Sequence, residues 1–123
     1  TVTIITYNSA TFDSDSGFNT STGRYTVPTG KAGKYYVAGG FRIGTANAVT
    51  RLVAYLFNNG SQIAEFNNPH NASNGEGSSF VSTILDLSEG DIVDIRMYHN
   101  AGSTKSIQTS SGRTLFMGFR LSE

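Results

Sequence analysis

The sequence predicts an all-β domain of the sandwich or jelly-roll type, and three observations predict it. Alternation of period two dominates the chain. The breaks between alternating runs carry turn chemistry, and no segment of helical length has an apolar stripe at helical spacing. Val, Ile, Thr, Tyr and Phe fill the alternating runs, and these side chains suit a pleated, half-buried surface.

In chain order the expected strands are Val2–Tyr7, Arg24–Val27, Lys34–Ile43, Thr50–Asn58, Gln62–Phe66, Ser78–Leu87, Asp91–His99, Ser106–Thr109 and Arg113–Leu121. Pro28-Thr29-Gly30, Asn58-Asn59-Gly60-Ser61, Ser88-Glu89-Gly90-Asp91 and Asn100-Ala101-Gly102 punctuate them as turns. Asn67–Gly77 is polar, has no apolar side chain larger than Ala72, and reads as a loop.

The 123 residues suit one domain spanning 1–123, long enough to bury a core without covalent staples. No cysteine is present, which excludes a disulfide framework and a thiolate metal site. Nine basic and nine acidic residues cancel, so nothing steers the domain to nucleic acid or to an anionic membrane. Only 15% of residues are charged, so Ser, Thr, Asn and Gly must supply the polar surface. No apolar run reaches membrane-spanning length, and the first residues lack the basic region and cleavage site of a signal peptide. The chain does not start with Met, and the natural protein is expected to extend further upstream.

A sandwich strand has one core face, so its other face should be polar. Three strands depart from this. Arg113–Leu121 carries Leu115, Met117, Phe119 and Leu121 on one face and Phe116 and Arg120 on the other. Ser78–Leu87 alternates Phe80 and Ile84 with Val81 and Leu85, and Lys34–Ile43 places Tyr36 opposite Tyr35, Val37, Phe41 and Ile43. The three strands are expected to share one sheet whose outer face identical subunits cover, with Tyr36, Phe80, Ile84, Phe116 and Arg120 as interface residues.

Tyr7, Asp13, Phe18 and Tyr25, followed by Gly33-Lys34-Tyr35-Tyr36-Val37, have the spacing of a known globular-head signature. The run Phe18-Asn19-Thr20-Ser21-Thr22-Gly23-Arg24-Tyr25-Thr26-Val27-Pro28, the turn Leu87-Ser88-Glu89-Gly90-Asp91-Ile92-Val93 and the closing Thr114-Leu115-Phe116-Met117-Gly118-Phe119 follow in the same order. This ordered set resembles the C1q/tumour-necrosis-factor-like superfamily, with Tyr7, Tyr25 and Val37 where Phe is usual. The resemblance implies a ten-stranded jelly roll, a homotrimer about a threefold axis, and no catalytic activity. It places the strands with two apolar faces in the inner sheet. Some members hold calcium near the axis, for which Asp86, Asp91 and Asp94 are the candidate ligands here. No other metal and no cofactor is expected.

The residues themselves offer little chemistry. His70 and His99 are the only near-neutral titrating groups, and no serine sits in a Gly-x-Ser-x-Gly elbow. Asp13-Ser14-Asp15-Ser16-Gly17 lacks the closing Glu of a calcium loop and reads as an Asx turn. Asp94, Arg96 and Tyr98 share one strand face and read as a solvated surface. The best ligand-binding candidates are the polar turns Phe57–Ser61 and Phe66–Glu76: Asn58, Asn59, Asn67, Asn68, His70, Asn71, Asn74 and Glu76, together with Tyr98 and His99. Amides, a carboxylate and an aromatic face are the groups that recognise sugars. The expected function is a non-catalytic receptor-binding or adhesion head at the tip of a phage tail fibre or bacterial collagen-like filament. Its partner is a cell-surface glycan or protein, and its place is extracellular or on a virion. The alternatives are a structural trimerisation cap or a secreted signalling or pattern-recognition head.

Overall fold

A computed structural model describes residues 2–7, 9–10, 13–44, 46, 48–70, 75–108 and 113–122. Nine strands lie among them: β1 Thr3–Ile4, β2 Phe18–Asn19, β3 Arg24–Thr26, β4 Gly33–Ile43, β5 Arg51–Asn58, β6 Ser61–Pro69, β7 Gly77–Leu87, β8 Ile92–His99 and β9 Leu115–Ser122. They form two antiparallel sheets. The larger runs β2-β3-β8-β5-β6, with β1 also on β8, and the smaller runs β7-β4-β9. The three strands with two apolar faces therefore do share a sheet.

The core lies between the sheets. Phe41, Ile43, Leu52, Leu56, Val93 and Ile95 are fully buried there. Each such side chain contributes about 2 kcal/mol by leaving water. The alternation that predicted the strands is the alternation that fills this core: Leu52, Ala54 and Leu56 point inward from β5, and Val93, Ile95 and Met97 from β8. Gly39 sits where the layers crowd, because a Cβ there would stand 2.6 Å from Cγ1 of Ile95 in the other sheet.

The β5–β6 hairpin closes through Asn59 and Gly60, with Asn58 opposite Ser61. Both turn residues have positive φ, 51° and 81°, as a type I′ turn requires. Asn59 tolerates that geometry and glycine adopts it without strain.

Several elements differ from expectation, beginning with Val2–Tyr7, of which only Thr3–Ile4 is strand. Ser106–Thr109 contributes only a single bridge, Ile43 to Ile107, and Thr109 lies outside the described residues. Phe18–Asn19 pairs with β3 although two residues are too few to show a period. β6 continues past Phe66 through Asn67 and Asn68 to Pro69. An edge strand draws its ladder bonds from the backbone, so polar side chains do not end it, and Pro fits at its last position.

Candidate functional site

The candidate ligand residues separate into two groups. Consecutive turns of an antiparallel meander lie at opposite ends, so the turn after β5 and the turn after β6 cannot meet. The seven steps between its eight residues, at roughly 3.3 Å each, put the ends of β5 about 23 Å apart. Asn58 and Asn59 stand at one end. Asn67, Asn68, His70, Glu76, Tyr98 and His99 gather near the other, where Leu52 pairs with both Asn68 and His99. Asn71 and Asn74 lie outside the described residues.

Most of these groups serve the fold. Asn59 donates Nδ2 to Asp91 Oδ1 at 3.0 Å and accepts from the Ile92 N–H at 2.8 Å, tying the β5–β6 turn to the β7–β8 turn. Asn68 Nδ2 donates to the Ser78 carbonyl. Glu76 pairs with Arg42 at 2.6 Å. His99 Nδ1 accepts from the Ala101 N–H at 3.3 Å, and burial, then Lys105, lowers its pKa. Asn100 joins the same end by accepting from the Thr50 and Arg51 N–H groups.

The three candidate metal ligands also part. Asp86 lies on the outer face of the small sheet and pairs with Lys34 at 3.3 Å. Asp91 sits in a turn, where Asn59 and then the Ser88 N–H hold its carboxyl below the usual range. Asp94 lies on the outer face of the large sheet. Among the described residues no three His, Asp or Glu side chains group to hold a metal. Asp13 forms an Asx-type turn, accepting from Gly17 and Phe18 N–H groups at 3.2 and 2.9 Å.

The outward face of the small sheet is apolar. Tyr36 pairs with Ile84 on one side and Phe119 on the other, and Gly40 with Phe80 and Leu115. Tyr36 and Phe119 rings lie 5.5 Å apart. Ile84, Phe119, Met117, Leu121, Phe80 and Leu115 are all exposed. Tyr36, Phe80 and Ile84 therefore stand on the expected outer face. Phe116 and Arg120 do not: they turn inward, and Leu115, Met117, Phe119 and Leu121 take the outside. The larger apolar set was assigned to the core because alternation cannot say which face is inward. The sequence carried one signal of the true register in Gly118, whose inward face would put a Cβ 2.8 Å from the Tyr36 carbonyl oxygen.

The outward face of the large sheet is different again. Arg24, Asp94 and Phe57 lie in one row across β3, β8 and β5, with Arg96 and Tyr55 in the next. Asp94 is 1% exposed although it points away from the core. Arg96 Nε donates to its Oδ1 at 2.7 Å and Nη2 to Oδ2 at 3.4 Å, while Arg24 Nε stands 3.6 Å from Oδ2. The Arg96 guanidinium lies 4.0 Å from the Phe57 ring centre, and Arg51 lies 5.4 Å from that of Tyr98. This is a buried, braced ion pair in place of the expected solvated surface. Arg24 was not singled out because β3–β8 pairing brings it there, and no local pattern records that pairing.

The spaced aromatics meet at the rim between the sheets. Tyr7, Phe18 and Phe116 form an edge-to-face trio at 5.4 to 6.3 Å, and Tyr25 lies 6.4 Å from Tyr35. Tyr7 donates to the Gly40 carbonyl at 3.0 Å, and burial raises its pKa. These rings line a cleft of about 910 Å³ under β9, with Arg120 and Lys31 also on its wall. Arg120 donates from Nε and Nη2 to the Ala32 carbonyl at 3.1 and 2.9 Å. The aromatic spacing along the chain is thus a packing cluster in space.

No curated protein matches the chain. Among solved structures it is similar to the globular domain of zebrafish complement 1qA protein, with a TM-score of 0.73 and 22% identity over 97% of this chain and 84% of that one. That likeness carries the fold. A C1q domain model matches residues 1–121, the aromatic cluster and both sheets included. The chain therefore belongs to the C1q domain family and is a C1q-like jelly-roll head.

Proposed function

We propose that this head is a non-catalytic homotrimer that attaches the tip of a fibre, a phage tail fibre or a bacterial collagen-like filament, to a cell-surface glycan or protein. The observation that carries the trimer is the apolar outer face of β7-β4-β9. Its rings and aliphatic chains lie side by side, with Ile84 60% and Phe119 59% exposed, which a lone soluble domain rarely sustains. A second apolar group, Ile63 and Phe66, stands on β6, beyond the β7 edge and opposite the β9 edge. Two apolar patches at opposite edges suit a head-to-tail contact, and such a contact closes into a trimeric ring when each step turns by a third of a circle. Three equivalent weak sites then engage a surface together, and avidity supplies the affinity. The function needs no cofactor, and it places the head outside the cell or on a virion.

Light scattering at micromolar concentration tests the trimer, for which a monomer is the overturning result. Glycan arrays and whole-cell binding test the attachment role. A second reading is a structural cap that only nucleates the fibre, favoured by the engagement of Asn59, Asn68 and Asn100 within the chain. Fibre assembly lost on deletion of the head, with no binding to any cell surface, supports the cap.

A further inference from the structure

We propose that Arg24, braced by Asp94, is the anion-binding group of a recognition site for the carboxylate or sulfate of an acidic cell-surface glycan. The inference rests on the attachment role above and names the chemistry of its ligand. It begins from charge. The chain has six arginines, and Arg24, Arg51 and Arg96 stand on the outward face of the large sheet. At its centre two guanidinium groups share the one Asp94 carboxylate, so the trio carries a surplus positive charge.

The donors divide unequally. Arg96 is consumed: its Nε and Nη2 bond Asp94 and its plane stacks on Phe57. Arg24 only approaches the carboxylate through Nε at 3.6 Å, and its side chain is 44% exposed. Among the described residues no hydrogen bond engages its Nη1 or Nη2. Asn19, its register partner on β2, turns Oδ1 to the Ser21 and Thr22 N–H groups and leaves Nδ2 unengaged. Asp94, with a side chain 2% exposed, cannot swing out to follow solvent. It therefore holds the Arg24 stem in place and reduces the ordering cost of binding.

A fork with two free NH2 groups matches a planar or tetrahedral oxyanion, where a lysine would offer only a point charge. The chain is neutral overall, so the attraction is local to this face and does not amount to the broad positive field that nucleic acid requires.

The test uses the intact head on an array of sialylated, uronic-acid-bearing and sulfated glycans beside their neutral parents. The expected result is acidic glycans above neutral parents, with affinity falling as salt rises. Arg24→Gln then weakens that binding about tenfold or more, the size of a lost charge-assisted bond. Arg24→Lys falls between the two, and oligomeric state and melting temperature stay unchanged in both. Sialidase-treated and sulfation-deficient cells tell carboxylate from sulfate. Acidic glycans bound no better than neutral ones, or equally by Arg24→Gln, overturn the site while leaving the attachment role intact. Binding to no glycan and no cell overturns both.

Discussion

The two outward faces of this sandwich invert the ordinary rule of burial. On the small sheet, large apolar side chains stand exposed in adjacent rows around Tyr36. On the large sheet, a carboxylate is 1% exposed, closed over by arginine and aromatic side chains. The first face gains by meeting another apolar surface, since each buried square ångström is worth about 25 cal/mol. The second gains nothing that way, because covering it would strip water from two guanidinium groups. The two faces of one fold thus suit opposite surroundings, an apolar partner for the small sheet and water for the large one.

The largest expected effect breaks the apolar face. Phe119→Asp puts a charge beside Tyr36 and should convert the proposed trimer to monomer, because each of three contacts loses about 2 kcal/mol or more of apolar burial. Light scattering reads the mass. Thr26→Asp, exposed on the outward face of the large sheet, should leave it unchanged, and equal effects from the two would abolish the contrast between the faces.

Next comes the polar face. Asp94→Ala leaves Arg96 without its partner and should cost about 2 kcal/mol in urea unfolding, with the trimer kept below the transition. A gain in stability would show the ion pair to be dispensable.

The hairpin that frames the polar face gives a smaller effect. Gly60 has φ of 81° with open space around it, so Gly60→Ala adds strain without a clash and should cost about 1 kcal/mol.

The smallest effect depends on pH. Asn59 holds the Asp91 carboxyl below its ordinary value of 3.8, so this stabilisation is present above that value and drains as pH falls through it. Asn59→Ala should therefore melt below the parent near about pH 6, with the gap narrowing by about pH 3. A gap that widens towards acid would refute the assignment.

Much of this was legible in the residues. Alternation located eight of the nine strands to within a few positions, because a half-buried pleat imposes period two on its own sequence. The polar surface of Asn58-Asn59-Gly60-Ser61 revealed its turn, because positive φ selects Asn and Gly. The candidate site was less legible. Asn59 and Asn68 looked like free amides and proved to be internal ties, since their acceptors, Asp91 and Ser78, come from other turns and strands. Phe116 and Arg120 were assigned to the wrong side of β9 for the same kind of reason.

By itself, then, the sequence determined that the chain is all-β, where its turns fall, which strands carry two apolar faces, and which aromatics carry the family's spacing. These are local properties, set by backbone sterics and by the period of the pleat. Only the tertiary structure decided which face of β9 looks outward, that the two polar turns stand at opposite ends, and that Arg24 meets Asp94. Those facts depend on register and strand order, and a period-two pattern is unchanged when its two faces are exchanged.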